Sequence, residues 1–134
     1  MKKNFSIISS IEVVKAGDSF DLHNDFDLSK LEIDFQKNNL SLLWLSRSSS
    51  SCLQLSIVFK QIKYFNALGF DEEMPRAEDR RLSFLGYLHP EDVNIMNGFL
   101  PEESYADGHH IIFSFEGGLT LKLLAEIAEL DVKN

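Results

Sequence analysis

The sequence predicts a mainly β fold with minor α content, α+β being the other possibility: an antiparallel meander of about six strands curled into a sheet or small barrel. Three observations carry that expectation. From His109 to Leu123 apolar and polar residues alternate on both sides of Gly117-Gly118, the pattern of a β-hairpin with one buried face. A second alternation, Leu31, Ile33 and Phe35, then Leu40, Leu42 and Trp44, brackets Lys37-Asn38-Asn39, a turn-forming triplet. A third run, Leu53 to Phe59, changes phase to Ile62 and Tyr64. A bulge near Lys60-Gln61 makes that change and bends a long strand.

The elements follow in order. Asn4 to Lys15 reads two ways: Ile7, Ile8, Ile11 and Val14 share a helical face, while β-branched content favours a strand. A helix or short irregular strand ended by Gly17-Asp18 is expected. Asp21 to Leu28 reads as an edge strand with Phe20, Leu22, Phe26 and Leu28 on its apolar side. The second hairpin, the serine run Ser48–Ser51 and the bulged third strand come next. Asn66 to Asp79, with Gly69, Pro75 and a cluster of acids, reads as a loop. Arg80 to Leu88 is a strand with Leu82, Phe84 and Leu88 on one face and close packing at Gly86. His89 to Asp107 is a long excursion with one helical turn around Glu91–Met96. The Gly-Gly hairpin closes the chain, its core side being Phe113, Phe115, Leu121 and Leu123.

With 134 residues, the chain reads as a single β-rich domain, residues 1–134. Eleven Phe against one Trp and three Tyr suggest a core built on phenylalanine. The net charge of −8 repels the phosphate backbone of nucleic acid and anionic lipid, so neither is expected as a partner. Apolar runs are too short to span a bilayer as a helix and no cleavable leader is legible, which points to the cytoplasm. The lone Cys52 permits neither an internal disulfide nor a cysteine-based zinc cluster, and it reads as a small residue opening a strand.

Two groups of residues raise the question of chemistry. Asp21, His23, Asp25 and Asp27 recur at every second position, with Leu22 and Phe26 between them, and offer metal-ligand types. Along one extended strand, at about 3.3 Å per residue, such ligands spread too far to surround one ion. A solvent face is the simpler reading. His89-Pro90-Glu91-Asp92 and His109-His110 flank the long excursion, so these histidines are expected to meet where it leaves and re-enters the sheet. Adjacent His109 and His110 point to opposite faces of a strand, and no nucleophile stands beside them. The expectation is therefore no catalytic residue, no cofactor and no tightly bound metal, with His23, Asp21, Asp25, His89 and His109 as the candidates should a metal be present.

The stretch Leu82-Ser83-Phe84-Leu85-Gly86, Pro90-Glu91-Asp92 and Ala106 through Leu123 resembles the C-terminal half of a family of short uncharacterised alphaproteobacterial cytoplasmic proteins, a domain of unknown function. Gly117, Gly118, Lys122, Glu126, Leu130 and Asp131 match its pattern, whereas Leu119 stands where the family carries a third glycine. The resemblance covers about half the chain and implies a bacterial protein without assigning a site. Toxin-immunity proteins, whose small domains end in similar Gly-Gly hairpins, are a second resemblance. Together these readings lead to a non-enzymatic protein-interaction domain, with a protein partner or a homodimer. Two alternatives are an immunity-type inhibitor presenting an acidic surface and a small metal-binding or hydrolytic enzyme using loop histidines.

Overall fold

The computed structural model describes residues 1–69, 72–91, 100 and 102–134. Among the described residues ten strands run in chain order: β1 (Lys2–Lys3), β2 (Ser6–Ile7), β3 (Glu12–Lys15), β4 (Asp18–Asp21), β5 (Phe26–Asp34), β6 (Asn39–Ser46), β7 (Gln54–Leu68), β8 (Leu82–Leu88), β9 (His110–Phe115) and β10 (Thr120–Lys133). The main sheet has the order β5-β6-β7-β10-β9-β8, all antiparallel, with β1 added in parallel to β10. Two meanders, β5-β6-β7 and β8-β9-β10, are thus joined along their longest strands, and the result is a curled half-barrel. Strands β2, β3 and β4 form a separate small sheet whose Ile7 and Val13 are buried in the same core.

The curl comes from the bulge. Gln61 takes a positive φ of 54°, and the β7–β10 register slips between Leu124 and Ala125, so two interruptions lie close together. After the first, Ile62 turns onto the core as the phase change indicates. After the second, Phe65 faces the core in place of Tyr64. Tyr64 instead stacks on His110, with ring centroids 4.6 Å apart. A strand interrupted twice bends twice, which is how a long pair wraps one core.

Aromatic residues fill that core. Trp44 stacks on Phe115 at 5.9 Å and tilts against Phe113 at 6.2 Å, while Phe59 meets Phe113 edge to face at 6.3 Å. Phe113, Phe115, Leu121 and Leu123 are all buried, as the alternation around the last hairpin requires.

Several local expectations are corrected. Of the two readings of the N-terminal segment the short strand holds, but Gly17 does not merely end it: Ala16 and Gly17, at φ 51° and 86°, are the two-residue turn of the β3–β4 hairpin, the geometry of a type I′ connection. Asp21 to Leu28 is not one extended strand. Asp21 Oδ1 accepts the backbone N–H groups of His23 (3.0 Å) and Asn24 (2.8 Å), an Asx turn that ends β4 and reverses the chain into β5. Leu22, Phe26 and Leu28 are buried by the domain itself, so that segment gives no ground for a dimer. On β5 a slip between Leu28 and Lys30 moves the apolar side. Leu31 is half-buried, and Ile33 and Phe35 at the hairpin end are exposed. On β8 a slip between Leu82 and Phe84 leaves Phe84 half-buried and sends Leu85 and Tyr87 into the core.

The loop after β7 contains a 3-10 turn, Arg76–Arg80, which docks on the last hairpin. Glu78 and Arg81 carbonyls accept the N–H groups of Gly117 (3.1 Å) and Glu116 (2.9 Å). The expected two-residue Gly-Gly turn is corrected as well: Gly118 N–H reaches Phe115 O at 3.0 Å and Phe115 N–H reaches Leu119 O at 2.8 Å, which makes a three-residue loop. Only Gly118 needs its glycine for a positive φ, 95°. Gly117 is there for closeness, because a Cβ would lie 2.2 Å from Asp79 Oδ1 and 2.8 Å from the Asp79 backbone nitrogen. Gly117→Ala is expected to cost about 1–3 kcal/mol, since backbone cannot yield as a side-chain tip can. Urea unfolding checks this, and a variant as stable as wild type would show that the 3-10 turn moves aside freely. The helical turn expected near Glu91–Met96 lies outside the described residues from Asp92 onward, as does Asp71 of the acidic loop.

Candidate functional site

Among the described residues a dense polar arrangement lies where β1, β8 and the segment before β9 converge. Lys2↔Ile127 and Lys3↔Ala128 pair β1 with β10, which carries the Lys3 side chain across to Tyr87 of β8. Its side chain is only 6% exposed. It donates to the Tyr87 hydroxyl and, at 2.6 Å, to Glu102 Oε1. It also lies 4.6 Å, 4.7 Å and 5.7 Å from the ring centres of Tyr87, Tyr105 and Phe5. Three aromatic faces and one carboxylate thus replace the water that a lysine loses on burial.

Glu102 is fully engaged. Its Oε2 accepts from the Tyr87 hydroxyl at 2.5 Å and from Ile7 N–H at 2.9 Å. Burial pushes the Glu102 carboxyl up, but the bonds from Lys3, Tyr87 and Ile7 outweigh that and hold it below the usual carboxylate range. Tyr87 moves the opposite way. Burial, then the bond to Glu102, drives its hydroxyl far above the ordinary phenol value, so it stays protonated and donates. Tyr105 is raised by burial, with Asp107 and Glu102 adding to the effect.

The histidines flanking the excursion do meet: the His89 and His109 rings lie 5.6 Å apart, edge to face, and Tyr105 is 6.0 Å from His109. Their tautomers set what they can do. His89 Nδ1 accepts Glu91 N–H at 3.1 Å, and His109 Nδ1 accepts Ala106 N–H at 3.0 Å. A ring nitrogen that accepts carries no proton, so each ring presents Nε2–H. A histidine that binds metal through Nε2 needs the reverse, a donating Nδ1. His110 points to the other face, against Tyr64. Burial, with Lys122 and His109 nearby, holds its imidazole below the usual range.

The Asp21–Asp27 group is dispersed. Asp21 caps its turn; burial raises its carboxyl, and the bonds from Asn24 and His23 lower it further than burial lifts it. His23 Nδ1 donates to Leu82 O at 2.5 Å, and the same nitrogen is 3.9 Å from Glu116, tying the start of β5 to β8. Asp27 pairs with Arg47 at 2.9 Å, while Asp25 stands exposed. Among the described residues no three His, Cys, Asp or Glu side chains are placed to hold one metal ion. The Lys3–Glu102 pair carried no sequence signal, because its partners are 99 positions apart.

No family model, curated protein or solved structure matches this chain. Among the described residues no helix is long and apolar enough to cross a membrane.

Proposed function

We propose that this protein works by binding another protein through its acidic surface. The observation that carries the reading is the end of the β5–β6 hairpin, where Phe35 is 88% exposed and Ile33 38% exposed. A phenylalanine held in water at a hairpin end gains its burial energy only on contact with something else. The surplus of eight negative charges favours a basic partner, speeding encounter and excluding acidic competitors. The Lys3 cluster supports the same reading, since its charged groups are spent on one another inside the fold. They hold the N-terminal strand in place.

Incorporating benzoylphenylalanine at position 35, a near-isosteric change, and irradiating the protein in its source cells tests the proposal. The expected result is a discrete adduct with one other protein, or with a second copy, lost when Ile33 is also changed to Ser. Diffuse labelling, or none, would count against association through this surface.

A further inference from the structure

At the opposite end of the same hairpin, the Asx turn of Asp21, the end of β6 and the start of β7 enclose a cleft of about 330 Å³. That is within the size range of small-molecule and side-chain pockets. Its floor is apolar: Phe20 and Phe26 meet edge to face at 6.3 Å, and Leu53 forms a further wall. Its rim is held by hydrogen bonds. Arg47 N–H donates to Asp25 O at 2.9 Å and Ser46 N–H to Leu53 O at 3.1 Å. The Arg47 guanidinium bonds Asp27 through Nε at 2.9 Å and Asn24 O through Nη1 at 3.3 Å. The cleft is therefore pre-formed, which lowers the ordering cost of filling it.

Charge selects the occupant. The positive charge of Arg47 is offset by Asp27, with which it is ion-paired. Asp25 also lines the cleft, is exposed, and spends its backbone but not its carboxylate on the turn. The uncompensated charge at the mouth is therefore negative, on a chain of net charge −8. A second copy of the chain would bring the same sign to the contact.

We infer that this cleft is an anchoring pocket for an apolar side chain flanked by lysine or arginine on a partner protein: the side chain packs on Phe20, Phe26 and Leu53 while the flanking cation faces Asp25. The inference rests on the association reading and assigns it a second contact point.

The probe is an acetylated, amidated Lys-Leu-Lys tripeptide titrated into labelled protein, with Glu-Leu-Glu and Lys-Ala-Lys as comparisons, followed by amide NMR shifts. Lys-Leu-Lys is expected to give saturable shifts at Ser19–Phe26 and Ser46–Leu53, at millimolar concentration as befits one anchor. Both comparison peptides should bind more weakly. Asp25→Lys should weaken Lys-Leu-Lys by about two- to fivefold at low salt, and Leu53→Glu should abolish saturation, each variant keeping the wild-type far-UV spectrum. Equal binding of Glu-Leu-Glu, shifts elsewhere on the surface, or none by ~10 mM would overturn the proposal. An adduct at position 35 combined with a silent cleft would overturn the pocket while leaving association standing.

Discussion

Phe115→Ala is expected to lower the stability of the domain by about 3–5 kcal/mol. The ring is 2% exposed and stacks on Trp44 with an interplanar angle of 20°. Trp44 itself leans on Phe113, and Phe113 on Phe59, so β6, β7 and β9 meet through a chain of rings. Deleting one link leaves a cavity whose walls stand on hydrogen-bonded strands, where collapse is resisted and the cavity cost stays near its full value. The strand should survive, because the backbone bonds of Phe115 to Leu119 and Gly118 do not involve the ring. Urea denaturation at neutral pH is the measurement. A midpoint unchanged from wild type would show that this ring is not part of the core packing.

That residue was legible from alternation alone, and the reason is general to this chain. A strand with one buried face writes its register in every second residue, so the last hairpin, β6 and the first half of β7 could be read directly. Bulges break the code. Leu31, Ile33 and Phe35 keep the alternating pattern on β5, yet the slip after Leu28 and the length of the hairpin carry Ile33 and Phe35 beyond the cover of the core. Phe84 and Tyr64 depart from the alternation for the same reason, each lying just past a slip.

Turn chemistry misled in a different way. Gly117-Gly118 looks like the two-residue turn, but the residues that adopt one are Ala16 and Gly17. Intrinsic preference marks where positive φ is cheap, not where the chain requires it. At Gly117 the determining contact is Asp79, thirty-eight positions earlier in the sequence. The meeting of His89 and His109 could be anticipated because both flank one excursion. The cage around Lys3 could not: its parts come from the first residues, β8 and the segment before β9, and no local pattern links them.

Glu102→Gln is the second large expected effect. The change keeps the size of the side chain but removes the negative charge facing a nearly buried ammonium, and it replaces one of two accepting oxygens with an amide that can only donate. Stranding one partner of a buried pair costs about 3–5 kcal/mol. Glu102 itself is 28% exposed, so solvent offsets part of that loss and about 2–3 kcal/mol is expected. Adding Lys3→Met should restore most of it, since the methionine fills the aromatic cage without a charge to desolvate. The pH dependence follows from the direction of the shift. The folded-state pKa of Glu102 lies below its unfolded value of 4.5, so the carboxylate contributes stability that is fully present above pH 4.5. That contribution disappears as pH falls through the lower, folded value. Wild type should therefore lose stability in acid more steeply than Glu102→Gln, the two curves converging below the folded pKa. Thermal melts from pH 7 down to pH 3 would read this. Parallel curves across that range would mean that Glu102 is not held as the charged partner of Lys3.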